Sequence, residues 1–307
     1  MFNMPIVLTS DIRICRQIPA AVFIDKRTIG NYDNDPDVCA VIGSREIAKI
    51  GLNFRFPNLR LVQLLSAGFE GVDIPEYKSR GVSVCNAANV YSVAMAEFVM
   101  MGILQSAKRY RYYISDKRLR YARNYKYITE LSGKNVLILG VGGIGNEIAK
   151  RLAGFGVSLY GYARSCRVQE GFVEITDSVD RLKQMFAIAD YVVSTLPDNS
   201  RTCGLIGKEL LCFLKEGATL INVGRRRVFN ESDLYECLRK RPSVSAYLDM
   251  FERFPNPFTN KFRRLRNVVV WPGVTAISQE SHEKLWKLVS YNLKQLEAGN
   301  PVFLNLL

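Results

Sequence analysis

The chain has 307 residues, 48% of them hydrophobic, which suits two domains that each bury a core and excludes a disordered chain. Lys and Arg total 42 against 29 Asp and Glu, a formal charge of +13 that favours anionic partners. No apolar run is long enough to span a bilayer, and the 7 scattered cysteines and 1 histidine offer no metal-ligand set.

In chain order, the opening MFNMPIVLTSDIR lacks the basic-then-apolar pattern of a signal peptide. With unpaired cysteines, it reads as the start of a reduced, cytoplasmic protein. Short apolar runs follow at 5–10, 40–44, 59–66 and 82–86, separated by helix-like stretches, the pattern of βα units around a parallel sheet. Residues 89–113 then read as one long helix, apolar nearly all round and therefore buried or at an interface. Its end runs into KRYRYYISDKRLRYARNYKY, Lys108 to Tyr127, where 8 Lys or Arg interleave with 6 Tyr. Such a mixture can stack on bases, but charge runs on helices usually face water, so nucleic acid is disfavoured as a partner.

A second alternation restarts at NVLILG, with strand-like runs at 135–140, 157–163, 191–197, 218–224, 245–251 and 267–272. The last stretch is a helix carrying Leu285, Leu288, Val289, Leu293 and Leu296 at helical spacing. The expected organisation is a first domain of residues 1–98 plus 279–307, and a second of residues 99–278.

The strongest local signal is NVLILGVGGIGNEIAKRLAGFG, Asn135 to Gly156, a buried strand entering a glycine turn and a helix. Gly140 allows the tight turn, Gly142 lets backbone N–H groups approach a pyrophosphate, and Gly145 lets helix and strand pack closely. Gly143 and Ile144 complete the loop at the positive end of the helix dipole. Ile148, Leu152 and Phe155 are the expected inward face. Where an NAD-binding chain places Asp or Glu after the next strand, this one has Ala163, Arg164, Ser165 and then Arg167. Arg164 and Ser165 suit a 2′-phosphate, so NADP(H) is favoured over NAD(H), against the alternative of a merely basic surface turn.

Several motifs together resemble the D-2-hydroxyacid dehydrogenase family, which includes phosphoglycerate dehydrogenase and the glyoxylate and hydroxypyruvate reductases. They are LLSAGFEGVDIPEYKSRGVSVCN (64–86), VAMAEF (93–98), ELSGKNVLILGVGGIG (130–145), ADYVVSTLPDNSRTCGLIGKELLCFLKEGATLINVGRRR (189–227), AYLDMFERFP (246–255) and VVVWPGVTAIS (268–278). The resemblance covers residues 60 to 300, and the first 60 match only in pattern. It implies an α/β fold of two Rossmann- or flavodoxin-like domains with parallel sheets and a cleft, the cofactor domain being inserted into the substrate domain. It also implies a homodimer joined through the long helix, and a small anionic 2-oxo or 2-hydroxy acid as substrate. Carried over by position, Ala67 and Gly68 would offer N–H groups to the substrate carboxylate. Leu196, Pro197, Val223 and Gly224 would line the cofactor, and Asp249 would orient the nicotinamide carboxamide. Arg225 matches the catalytic arginine that binds the 2-oxo acid and polarises its carbonyl.

The resemblance breaks at the acid–base pair. The family's histidine after the strand proline is Gly273 here, and its glutamate, five residues past the aspartate of LDMF, is Phe254. Arg226 stands where the family usually has glycine. The sole histidine, His282, lies nine residues beyond Gly273 and is expected on a helix surface. Losing both members together avoids leaving a buried carboxylate without its partner, and the Phe254 ring would fill the imidazole's space. Three readings stay open: an NADPH-dependent oxidoreductase with altered acid–base chemistry, a non-catalytic NADP(H)-binding sensor or scaffold, and a binder of nucleic acid or an acidic partner. Arg226, Arg227, Arg253, Arg263 and Arg264 hint at an anionic substrate, whereas Phe254 and Trp271 hint at an apolar pocket floor.

Overall fold

The computed structural model describes residues 6–111, 128–165, 168–249, 260–300 and 302–307. The chain divides into two units, Met1–Tyr91 with Ser278–Leu307, and Ser92–Ile277.

In the first unit, β1 (Ile6–Thr9), β2 (Ala21–Phe23), β3 (Val38–Gly43), β4 (Leu61–Leu64) and β5 (Ser83–Cys85) form a parallel sheet in the order β2-β1-β3-β4-β5. That is the flavodoxin-like strand order. Every residue of β3 and β4 is buried, as a parallel sheet covered on both faces requires. On one face Val7, Ala40, Ile42, Leu61 and Cys85 pack against Leu285, Leu288, Val289 and Leu293 of the C-terminal helix, Gln279–Glu297. On the other, Leu8, Val41, Val62 and Val84 share a core with Ile47 and Ala48 of α2 and Tyr77 of α3. Here α1 is Ile12–Cys15, α2 is Arg45–Gly51 and α3 is Ile74–Ser79. Burial pushes the Tyr77 phenol far up, and its hydroxyl donates to the Ala48 carbonyl at 2.5 Å.

The C-terminal residues close the β5 edge of this sheet. Leu306 bridges Cys85 antiparallel, and the Leu307 N–H donates to the Val84 carbonyl at 2.9 Å. Fully buried Asn292 holds the returning tail: its amide donates to Gln63 Oε1 at 2.7 Å and the Leu304 carbonyl at 3.1 Å, and its Oδ1 accepts from the Leu304 N–H at 2.8 Å.

In the second unit, seven parallel strands run in the order β12-β11-β10-β9-β6-β7-β8. They are β6 (Asn135–Leu139), β7 (Ser158–Tyr162), β8 (Phe172–Thr176), β9 (Tyr191–Ser194), β10 (Thr219–Asn222), β11 (Ser245–Asp249) and β12 (Val268–Trp271). Six of them, β8 through β11, follow the doubly wound dinucleotide-binding order, and β12 extends it beyond β11. The helices are α4 (Ser92–Ala107), α5 (Gly143–Leu152), α6 (Val179–Ile188), α7 (Lys208–Leu211) and α8 (Glu231–Lys240). Leu182, Met185, Leu210, Leu234 and Leu238 of α6, α7 and α8 cover Leu137, Val192, Leu220 and Ala246 on one face. On the other face α4 lies against β10, close enough that a Cβ on Gly102 would stand 3.1 Å from the Trp271 ring.

The structure departs from the sequence reading in four places. Strands β2 and β8, both at sheet edges, did not stand out. Within the stretch 89–113 expected as one helix, α4 spans Ser92–Ala107, flanked by Asn89 and Arg109 with left-handed φ values of 66° and 53°; Tyr110 and Arg111 are again helical, and 112–113 lie outside the described residues. The two units divide at Tyr91/Ser92, and α4 packs on α5 and β10 of the second unit. Phe155 is exposed in a short 3-10 turn, whereas Ile148 and Leu152 are fully buried.

Replacing Asn292 by Ala would orphan Gln63 Oε1 and both main-chain groups of Leu304, at a cost of about 2–3 kcal/mol. A lower melting temperature and faster carboxypeptidase removal of the tail are expected; an unchanged melt would refute the role of this network.

Candidate functional site

The strand ends of the second unit lie at one level. Leu139 pairs with Tyr162 and Ser194, Asn222 with Ser194 and Leu248, and Asp249 with Trp271. The loops leaving this carboxyl edge therefore carry Gly140 to Gly145, Ala163 to Ser165, Thr195 to Pro197, Val223 to Arg225, and Pro272 with Gly273. Chain connections from β6 and β9 diverge here, the place where open parallel sheets bind ligands.

Three backbones meet at that point. Gly140 has φ +98°, and a Cβ on it would lie 2.6 Å from Thr195 Oγ1 and 3.3 Å from the Leu196 nitrogen. A Cβ on Gly145 would stand 2.2 Å from the Gly140 carbonyl oxygen, and one on Gly224 2.8 Å from the Leu196 oxygen. The Thr195 hydroxyl donates to the Gly140 carbonyl at 2.8 Å and ties the two loops. Gly142 differs, with no atom within 4 Å of its would-be Cβ. It begins α5 without a side-chain cap, and the first turn of that helix has no acid. The N–H groups at this end are thus open to an anion, and the residues present fit the pyrophosphate of a dinucleotide. Gly142 and Gly143 are exposed and Ile144 half-buried.

Past β7, Arg164 and Ser165 are exposed, and Arg164 makes no ion pair among the described residues. Asp177, past neighbouring β8, is an acid of this region: after burial, its charge is a further cause that raises the Tyr162 phenol. Leu196 and Val223 are buried and Pro197 exposed. Arg225 is half-buried immediately after Gly224. Its two basic neighbours are neutralised: Arg226 pairs with Glu231 at 3.0 Å and Arg227 with Asp198 at 3.4 Å.

Asp249, 3% exposed, ends β11. Its Oδ1 accepts from the Gly273 N–H at 2.8 Å and its Oδ2 from the buried Thr275 hydroxyl at 2.6 Å. Gly273 has φ +75°. Trp271 belongs to the core, 7% exposed, edge-on to Phe98 with ring centroids 5.6 Å apart and tilted on Tyr247 at 5.6 Å.

In the first unit, Ala67 is exposed and Gly68 half-buried in the loop after β4, and their N–H groups donate to no acceptor among the described residues. That loop is held by Asn86, whose amide donates to the Ala67 carbonyl at 2.8 Å, and by Ser66, which donates to the Gly68 carbonyl at 2.7 Å. His282 is exposed in the first turn of the C-terminal helix, its Nε2 3.3 Å from an Arg13 nitrogen, and Arg13 is in turn bound to Asp11.

Residues 98–274 match the NAD binding domain of the D-isomer specific 2-hydroxyacid dehydrogenases. A glyoxylate reductase of Thermofilum pendens is 32% identical over 262 residues, 81% of this chain and 76% of that protein. The chain belongs to the D-isomer specific 2-hydroxyacid dehydrogenases. A D-3-phosphoglycerate dehydrogenase of Methanocaldococcus jannaschii is 25% identical over 92% of this chain, which spans about half, 54%, of that longer relative. Among solved structures, the NADPH-dependent glyoxylate/hydroxypyruvate reductase of Sinorhizobium meliloti, in complex with NADP and malonate, matches with a TM-score of 0.80 at 25% identity, over 99% of this chain and 97% of that one.

For this 2-hydroxyacid dehydrogenase, the sequence-derived residues Gly140, Gly142, Gly145, Leu196, Val223, Gly224, Arg225 and Asp249 all lie along one edge of one sheet. Two more contributors, Thr195 and Thr275, escaped the sequence reading. Thr195 was in view inside YVVSTLP, but only its contact with Gly140 reveals a role. Phe254, Arg167, Arg253 and residues 112–127 of the basic stretch lie outside the described residues. Among the described residues no His, Cys, Asp and Glu cluster could hold a metal, and no helix is long and apolar enough to cross a membrane.

Gly145→Ala forces backbone to shift and should lower the melting temperature of this unit markedly. Gly142→Ala, in open space at a negative φ, should change stability by only about 0.5 kcal/mol or less. Equal melting curves for the two variants would contradict this geometry.

Proposed function

We propose that this chain binds NADP(H) in preference to NAD(H) along the carboxyl edge of its seven-stranded sheet, and acts as an oxidoreductase on a small anionic 2-oxo or 2-hydroxy acid with altered acid–base chemistry. The observation that carries the cofactor assignment is the open backbone at Gly142, set between Gly140 and Gly145 where no side chain fits. Gly143 and Ile144 continue that cradle. Leu196 and Pro197 on one side and Val223 and Gly224 on the other bound the remainder of the dinucleotide. Arg164 and Ser165 supply a charge and a hydroxyl for a 2′-phosphate, with no acid among these residues to repel it.

The bound nicotinamide supplies the hydride. Arg225 is the candidate for holding the 2-oxo acid and stabilising negative charge as it develops on the carbonyl oxygen, its permanent charge needing no proton movement. Ala67 and Gly68 offer N–H groups to a carboxylate. Asp249 fixes the 273–275 loop and is the candidate for orienting the nicotinamide carboxamide. At position 273 there is no imidazole to deliver a proton, and a positioned general acid is worth roughly 10²- to 10⁴-fold in rate. Proton delivery therefore falls to water or another side chain. The reading includes a homodimer, as the family resemblance implies.

The second reading, a non-catalytic NADP(H)-binding sensor, is favoured by the backbone of Gly273. At φ +75° a histidine would be strained by about 1 kcal/mol, so this loop is shaped for glycine.

Fluorescence titration should show tighter binding of NADPH than NADH. Arg164→Ala should weaken NADPH by about tenfold and leave NADH within roughly twofold. Equal loss for both nucleotides would refute the 2′-phosphate role. NADPH consumption with a panel of 2-oxo acids then separates the two readings. Turnover by the natural chain supports the oxidoreductase; turnover only by the Gly273→His, Phe254→Glu double variant supports the sensor.

A further inference from the structure

We propose that the first unit carries a further ligand site, an open-mouthed cavity of about 440 Å³ between the C-terminal helix and the returning tail, which takes an amphipathic carboxylate: an apolar body with one anionic head. One wall is the loop after β5, from Ala88 to Val90; the others are one face of the helix and the tail at Leu304 and Asn305. All these residues belong to the first unit, so the site uses nothing from the carboxyl edge of the seven-stranded sheet. Small-molecule pockets span roughly 300–1,000 Å³, a range that includes this cavity.

Two lysines set the sign of the head group. Half-buried Lys284 and exposed Lys287 stand one turn apart on the helix, and both line the cavity. Each has a glutamate four residues earlier, Glu280 and Glu283, the order in which a helix pairs acid with base most readily. Neither pair forms: among the described residues neither lysine has an ion pair or a hydrogen bond. Both ammonium groups line the concavity, where their donors remain to be used.

No Asp or Glu lines the cavity, so nothing there neutralises them or repels an anion. The Tyr291 hydroxyl, on the same helix face four residues past Lys287, also has no hydrogen-bond partner among the described residues. Ammonium groups are compact point charges without the fork of a guanidinium, and two of them beside one phenol suit a single carboxylate.

The rest of the lining is apolar and held in place. Val90 and Leu288 are buried, whereas Leu304 is 46% and Tyr291 37% exposed. Leu304 is not a loose side chain: its N–H and carbonyl are both bonded to buried Asn292. The next residue, Asn305, has a left-handed φ of 56°, and its amide donates to the Ala88 carbonyl at 3.0 Å and the Asn86 carbonyl at 3.3 Å. The tail is thereby clamped to the loop across the cavity, and the apolar wall exists before a ligand arrives. Covering that wall is favourable by about 25 cal/mol per Å² of apolar surface. A preformed apolar concavity with a few convergent donors is the general form of a small-molecule site.

The test is calorimetric titration of the full chain with octanoate below its micellar range, at constant ionic strength, with acetate and 1-octanol as probes of the head and the body alone. Expected are saturable binding of octanoate and binding at least tenfold weaker for acetate and for 1-octanol. Lys284→Gln and Lys287→Gln should each weaken octanoate about fivefold and together at least tenfold, while the paired change to Arg retains binding. Leu304→Ser should weaken it about threefold. The proposal is overturned by the absence of saturable binding, by 1-octanol binding as tightly as octanoate, or by binding unchanged in the double Gln variant with a natural melting curve. That last result would place octanoate at another site, such as the proposed 2-oxo acid site. If the double variant fails to fold, Lys287→Gln and Leu304→Ser, both at exposed positions, decide in the same way. NADPH affinity should be the same in all these variants, so failure here leaves the proposed function standing.

Discussion

Close approach of three main chains at the carboxyl edge sets the conditions for everything else in the second unit. The loops after β6, β9 and β10 touch through Gly140, Thr195, Leu196 and Gly224, with would-be Cβ distances of 2.6 to 2.9 Å that no ordinary side chain satisfies. Because these loops are pressed together, α5 can begin directly behind Gly140, with Gly145 against that residue's carbonyl. An α-helix starting there has unpaired N–H groups by necessity, and with no cap and no acid in its first turn they remain directed outward. Glycine in a strand-to-helix turn is thus a packing requirement that also creates an anion-binding surface. The two functions cannot be separated at Gly140 or Gly145, and they can at Gly142.

A second constraint sits at the other end of the same edge. Asp249 is a buried carboxylate, and burial of an unpaired charge is costly. Its partners include one main-chain N–H and one hydroxyl from the loop after β12. That loop turns through Gly273 in a left-handed conformation, which brings the N–H to the carboxylate. The same turn sets the acid–base question: the position the family resemblance assigns to an imidazole is shaped here by a backbone contact. Restoring a side chain there must work against both the φ angle and the bond to Asp249.

Ten of the strands were legible because parallel strands buried on both faces read as continuous apolar runs, as in VCAVIG and NVLIL. The two that were not, AVF and FVEIT, lie at sheet edges, where one side is wet and the apolar signal thins; Val173 is 63% exposed. The start of α4 was placed too early, and a break after it was missed, because hydrophobicity does not report a left-handed residue such as Asn89 or Arg109. The glycine loop was legible because its spacing encodes backbone geometry. Thr275 was not, because nothing local marks a hydroxyl that meets a carboxylate 26 positions earlier in the chain. Trp271 read equally as pocket or core; Gly102 and Phe98, far away in sequence, decide for core.

Net charge was the least legible property, since a sum says nothing about pairing. At the carboxyl edge, two of the three consecutive arginines are matched by acids: Arg226 by Glu231 and Arg227 by Asp198. Exposed ion pairs of this kind contribute little stability, on the order of 0–1 kcal/mol, so their effect here is mainly to lower the local field. On the proposed function, recognition of an anion at this edge would depend on oriented N–H groups and on individually placed guanidinium groups, Arg164 and Arg225, more than on the overall +13. Such short-range donors discriminate by geometry, whereas a diffuse field mainly speeds encounter and fades with salt. Specificity for one acid over another should accordingly follow the shape of the loops around Gly224 and Gly273 and change little with ionic strength.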